Sequence, residues 1–455
     1  MYKKMLFIAL VLFGLLFSDI AGQCFADMSA QFKLAHKYSK NEQYEQAEQI
    51  YQQIVTDYAF QAQKNLAILY VAWNKPPQAD SALQELLTKF SGHKGIPEAI
   101  NQVADNYGMK LKRYDKSRQL HQYVLDHYPG DEQTMWAQQG LAFADIRRGN
   151  YAAAEAAIEK LLANFPKHKG LPKALNSLGK DYRKVGKYQR ARKLHQYVLD
   201  NHPDFEDAIF SQRGVIISSI ALGDDSRAEA GINELLSQFS LNEYIANAVY
   251  HVARKLNRKN DQKAQELYEY IRDNHSGNKV AVLARVDIGQ IQLRQGDDAA
   301  ARAIFDGVLA DFSGHSILPK AVHLMAEGYR EQALFEHKQY LDAKADDHFL
   351  KALAEWERII YELPETHRNT TAQAHHFAAE CYRRFGQHQK AIEHYQKLAD
   401  YQPDYPYASR APSMVRLIKR YIKNMEEISE SGAEPPPPLP RWLGKNVNSN
   451  EGGQK

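Results

Sequence analysis

A long internal repeat constrains this chain more than any other feature. Arg118-Gln119-Leu120-His121-Gln122-Tyr123-Val124-Leu125-Asp126 returns 74 residues later as Arg192-Lys193-Leu194-His195-Gln196-Tyr197-Val198-Leu199-Asp200. A weaker copy, Leu267-Tyr268-Glu269-Tyr270-Ile271-Arg272-Asp273, follows 73 residues further on. A second string, Phe90-Ser91-Gly92-His93-Lys94-Gly95-Ile96-Pro97, recurs as Phe165 to Pro172 and again as Phe312 to Pro319. A recurring supersecondary unit cannot bury its apolar face alone, so its copies must stack.

Each block divides into two units that read helix, short turn, helix. The clearest runs Leu178, Gly179, Tyr182, Gly186, Tyr188, Ala191, His195, Val198, Pro203, and another runs Ala379, Tyr382, Gly386, Ala391, Tyr395, Leu398, Pro403. In both, the tyrosine precedes the alanine by 9 residues and the alanine precedes the proline by 12. Small residues at Gly179, Ala191, Ala379 and Ala391 let antiparallel helices approach, and Tyr182 and Tyr382 fill the space between them. Val198 and Leu398 continue the apolar stripe at helical spacing. Gly186 and Gly386 suit the left-handed residue that ends a first helix. Pro203 and Pro403 stand where a second helix must stop.

These residues resemble the tetratricopeptide repeat family over roughly Ala30 to Pro403. The resemblance implies an all-α, right-handed superhelical solenoid of about ten helix pairs. The units fall at 29–59, 60–91, 96–129, 133–166, 171–203, 207–240, 243–276, 280–313, 318–364 and 371–403. Asp145, Ser219, Lys255 and Gln292 replace the first-helix aromatic. Unit 318–364 carries extra residues between Tyr329 and Ala352, expected as longer helices or as a polar excursion around His337 to Asp347. Residues 404–430 read as a capping helix with Met414, Leu417, Ile418, Tyr421 and Ile422 at helical spacing. Residues 431–455 read as a disordered tail whose Glu434-to-Trp442 proline run favours extended polyproline II.

The N-terminus reads as an address. Lys3 and Lys4 precede the uncharged run Met5 to Phe17, and small residues follow at Ala21, Gly22 and Ala26, the layout of a secretory signal over 1–26. The run is too short to cross a bilayer, so no transmembrane span is expected in the mature chain. Cys24 opens an alternative, a lipid anchor, although Gln23 stands where a lipoprotein signal carries a small residue. The Phe-x-x-His connector also resembles bacterial envelope proteins, among them the repeat lipoprotein of the outer-membrane β-barrel assembly machinery and periplasmic division-coordinating proteins.

Function is expected in the groove that a stack of first helices lines. Helical phase places Lys173, Asn176, Lys180 and Arg183 there in unit 171–203, with Lys320, His323, Glu327 and Arg330 equivalent in unit 318–364, and Gln373, His376, Glu380 and Arg383 in unit 371–403. Intervening units read differently, with Trp136, Gln139, Phe143 and Ile146, then Phe210, Arg213, Ile217 and Ile220, so that polar and largely apolar inner faces alternate. Two readings are open. Trp136, Phe143, Lys173, Asn176, Lys180, Arg183, Phe210 and Arg213 grip a partner polypeptide, or the apolar positions pack between units.

Lys plus Arg is 58 against 55 Asp plus Glu, a balance that speaks against nucleic acid as partner. No Gly-rich phosphate loop, Gly-x-Ser-x-Gly elbow or His-Glu-x-x-His occurs, so no enzyme, cofactor or metal is expected. His376 and Glu380, four residues apart, lack a third ligand. The connector histidines, together with His121, His195 and Cys381, read as structural. The expected role is that of a protein-binding scaffold or adaptor in a bacterial cell envelope. A lipid-anchored assembly component is the alternative, and a glycan-binding or catalytic groove a third.

Overall fold

The computed structural model describes residues 31–55, 59–339, 341–363, 368–401, 405 and 407–431. The signal-like segment, Cys24, Pro403 and the proline run lie outside them. The described residues are helical with no strand, and the chain divides into units 1–234 and 235–455. The first unit holds α1 (31–40), α2 (Tyr44–Val55), α3 (Ala59–Ala72), α4 (Pro76–Lys89), α5 (Ile96–Met109), α6 (Tyr114–His127), α7 (Gln133–Arg148), α8 (Tyr151–Asn164), α9 (Leu171–Lys184), α10 (Tyr188–Asn201) and α11 (Ala208–Leu222). The division falls within α12 (Asp225–Gln238). The second unit continues with α13 (Ile245–Leu256), α14 (Asp261–Asn274), α15 (Lys279–Gln295), α16 (Asp298–Asp311), α17 (Leu318–Lys338), α18 (Asp342–Tyr361), α19 (Arg368–Arg384), α20 (His388–Ala399) and α21 (Ala411–Ser431).

Consecutive helices form the pairs that the repeat spacing predicts. In α9–α10, Leu175, Leu178, Tyr182, Ala191 and Val198 are buried. Removing each large apolar side chain from water contributes about 1.5–3 kcal/mol. Pro172 sits in the first turn of α9, where its missing N–H costs nothing. Gly186 (φ 74°) and Gly386 (φ 69°) occupy the left-handed region after α9 and α19. Every other second helix also packs against the next first helix: α6 on α7 and α10 on α11 within the first unit, and α14 on α15 and α18 on α19 within the second. By contrast α4 barely touches α5. The 74-residue sequence period is therefore a four-helix structural period.

The repeated Phe-x-x-His string is a helix-starting turn. His93, His168 and His315 donate their backbone N–H to Phe90, Phe165 and Phe312 carbonyls at 2.8–3.0 Å. Their Nδ1 atoms accept from the backbone N–H of Gly95, Gly170 and Ile317 at 3.0, 3.0 and 3.2 Å. Each ring is thereby spent on the turn.

The extra residues of unit 318–364 lengthen both helices, to 21 and 20 residues, and bury Trp356. At the far end Ile418 is buried, but Leu417, expected on the same covering stripe, is 44% exposed. α21 covers its neighbour along a narrower line than the apolar spacing predicts.

Candidate functional site

The sequence-predicted binding residues separate into two sets. Trp136 is half-buried, edge-on to His168, and occupies the space beside Gly170, so it packs on the following connector. Phe143 is 9% exposed. Its ring meets Tyr114 of α6 edge-on and lies against Gly108 of α5. Of the two readings open for Phe143, a groove anchor or packing between units, its burial accords with the second, because the neighbouring pair closes over it.

The second set converges on α9 and α11, with α10 beneath. Lys173 and Lys180 are exposed, whereas Asn176, Arg183, Phe210 and Arg213 are half-buried. The floor is His195 of α10, 2% exposed, which enters between α9 and α11 where Gly179 and Gly214 leave room. A Cβ added to either glycine would fall 2.4–2.6 Å from the His195 ring. His195 Nδ1 donates to Asn176 Oδ1 at 3.0 Å, and Ser211 Oγ donates to the same oxygen at 2.5 Å. That bond fixes the ring tautomer and turns the amide.

Two guanidinium groups, of Arg183 and Arg213, lie within electrostatic reach of this floor. Arg213 sits on the Phe210 ring, 5.0 Å from its centroid, and lies within electrostatic reach of Arg183. Burial and the Arg213 charge lower the Arg183 value to about 10, and burial lowers that of Arg213. Burial, with Arg183 and Arg213, pushes His195 down to about 3, so the ring is neutral at physiological pH. Among the described residues neither arginine forms an ion pair or a side-chain hydrogen bond. The buried Arg183 Nε, Asn176 Nδ2 and His195 Nε2 atoms have no hydrogen-bond partner.

Other polar clusters neutralise themselves. An open cavity of about 730 Å³ between α4 and α6 is lined by Lys116, Arg118 and Arg148. These pair with Asp80 (3.1 Å), Asp145 (3.2 Å) and Asp115 (2.7 Å). Asp298, Asp347 and His348 bring three ligand-type atoms together. The Lys351 ammonium, 3.3 Å from Asp298 and 2.7 Å from Asp347, is already the cation there, and Glu336 holds His348 Nδ1 at 2.7 Å. His376 stacks on Tyr407 at 4.4 Å and Glu380 pairs with Arg383 at 2.8 Å, so those two are engaged elsewhere. Cys381 is a buried free thiol. His195 and Ser211 were not expected in the site. The 74-residue recurrence of His121 as His195, with a glycine opposite each, is the signal that locates the floor.

No curated protein matches the chain. Among solved structures it is similar to a tetratricopeptide repeat protein from Parabacteroides merdae, with 14% identity over 58% of this chain and 98% of that one and a TM-score of 0.35. It is also similar to the apo form of RapI, with 11% identity over 73% of this chain and 98% of that one and a TM-score of 0.40. Residues 259–316 and 378–405 each match a family described as tetratricopeptide repeat, so the chain carries tetratricopeptide repeats.

Proposed function

We propose that the protein is a non-enzymatic scaffold of the bacterial cell envelope that holds a segment of a partner polypeptide against α9 and α11. The observation that carries this reading is the convergence of Phe210, Arg183 and Arg213, with Lys173 and Lys180 at the rim. An aromatic face beside cationic groups without internal counterions has the composition of a binding hot spot. The signal-like layout of Lys3, Lys4 and Met5 to Phe17 supports export.

The test is site-specific photo-cross-linking in cells of the source organism, with the cross-linker replacing Lys180 and, as control, Lys193 on the exposed side of α10. A scaffold that uses this face gives a discrete adduct from Lys180 and none from Lys193. Adducts of equal yield from both positions would refute the assignment of the face. The intact mass of the mature chain tests export: a start at Asp27 or Gln23 means a soluble periplasmic protein. A start at Cys24 with added acyl mass means the lipid-anchored alternative.

A further inference from the structure

The repeats supply an internal comparison at the site. Arg183, Arg330 and Arg383 occupy the same place in three first helices. Glu327 meets Arg330 with two bonds, 3.2 and 2.9 Å, and Glu380 meets Arg383 at 2.8 Å. Burial works to lower both values, but the glutamate charge overrides it and both are raised. At the corresponding position, three residues before Arg183, stands Lys180. Asp181, the nearest acid in sequence, is bound to Lys184 at 3.2 Å. The fold thus keeps an arginine at this place, buried in the other two repeats and half-buried here, while replacing its glutamate with a like charge, and Arg213 adds a second uncompensated cation. A buried charge without a partner is costly. The orphaned Arg183 Nε and Asn176 Nδ2 both offer N–H groups, and both residues adjoin His195, Asn176 through its 3.0 Å bond and Arg183 within electrostatic reach.

We propose that Arg183 and Arg213, with Asn176 Nδ2 beside them, form a receptor for a glutamate or aspartate carboxylate of an extended acidic segment in the partner polypeptide. The inference rests on the scaffold reading and names the chemistry of its partner. Carboxylate is the assigned anion because a glutamate carboxylate is what neutralises the equivalent arginine at both other positions in this chain. The planar guanidinium fork matches it with paired N–H donors. The Phe210 ring beside Arg213 gives the segment an apolar surface next to the charge.

The experiment measures fluorescence anisotropy of a fluorescein-labelled poly-L-glutamate peptide with the full chain, alongside thermal unfolding. The wild-type chain binds the probe. Arg183→Gln and Arg213→Gln each weaken it about tenfold, the loss of one charge-assisted contact. Lys180→Glu reproduces the Glu327–Arg330 arrangement, so it weakens the probe equally and raises Tm by about 1–3 °C. Lys193→Glu makes the same charge change on the exposed side of α10 and weakens binding less than about threefold, a screened long-range effect. Absence of probe binding to the wild type overturns the inference. So does equal loss in Lys193→Glu and Lys180→Glu, or a Lys180→Glu variant with no gain in Tm. Displacement of the probe by inorganic phosphate at lower concentration than by glutarate reassigns the site to phosphate and overturns the carboxylate. A discrete cross-link from Lys180 to a segment without Asp or Glu overturns this inference alone and leaves the scaffold standing.

Discussion

His195 and Asn176 are joined by a 3.0 Å hydrogen bond in which the ring Nδ1 donates to the amide oxygen across the α9–α10 pair. His121 and Asn101 make the same 3.0 Å bond one block earlier. In each case the ring reaches a glycine of the next first helix, Gly214 or Gly140, where an added Cβ would lie 2.3–2.5 Å from ring atoms. The hydrogen bond prevents the ring from stepping aside. Gly214→Ala and Gly140→Ala are each expected to cost about 1–3 kcal/mol by overpacking. Urea unfolding measures this. Losing the bond itself, in Asn176→Leu, leaves a buried N–H unsatisfied and costs about 1–3 kcal/mol. An unfolding midpoint unchanged in Gly214→Ala would show that the two pairs are not locked through this ring.

Burial holds several histidines neutral. His195 is pushed down to about 3, by burial first and then by Arg183 and Arg213. His375, His376 and His394 are each pushed down to about 4, again by burial first. The His375 and His394 Nδ1 atoms lie 3.1 Å apart, so one proton serves both. In the unfolded chain a histidine titrates near about 6.5. Above that value neither state is protonated and these groups leave stability unaffected. Below it the unfolded state takes up protons that the folded state refuses, and stability falls as pH drops from 6.5 toward about 4. Tm is expected to hold between about pH 8 and 7 and to fall steadily below about 6. A Tm that stays level down to about pH 5 would contradict the buried, neutral assignment.

The spacing of Tyr182, Ala191 and Val198 made the helix pairs legible because each pair closes its own core. Burial there follows from helical phase alone. Which groove residues remain accessible was not legible, because that depends on neighbours distant in sequence. Phe143 and Phe210 both read as groove-facing aromatics. Tyr114 and Gly108 enclose Phe143, whereas Phe210 remains half-buried under Arg213. The charge state of Arg183 was legible in principle: Lys180, Glu327 and Glu380 occupy one repeat position. Its meaning required the three-residue contact that the folded helices show.

Cys381 packs in α19 with its thiol against the Phe349 carbonyl, 3.8 Å away, and burial pushes its value up to about 12. The thiolate is therefore scarce at neutral pH and out of reach of reagents. In the native full chain, iodoacetamide is expected to leave Cys381 unmodified. In urea it should alkylate at the rate of a free cysteine, with peptide mapping separating it from Cys24. Native labelling of Cys381 at a rate close to the unfolded one would mean that α18 and α19 open readily.

Asp287 carries the opposite pH signature. It lies in α15, 5% exposed, with one carboxylate oxygen lacking a hydrogen-bond partner. Burial pushes it up to about 6, against the pull of the Tyr250 hydroxyl and the Arg254 charge. A folded value above the unfolded one favours folding while the group is protonated. That contribution is complete below about 3.9, the ordinary aspartate value, and is lost as pH rises through about 6. At neutral pH the charged carboxylate therefore opposes folding, and Asp287→Asn removes the charge while keeping shape and an acceptor. The variant is expected to gain about 1–2 kcal/mol near pH 7.5, below the full linkage value because the tyrosine hydroxyl prefers a charged acceptor. Near about pH 4, where the wild-type group is already protonated, the two proteins should unfold at closely similar urea concentrations. A gain of equal size at both pH values would show that packing, not the carboxylate charge, decides the effect. A loss at neutral pH would show that Tyr250 and Arg254 stabilise the ion more than burial opposes it.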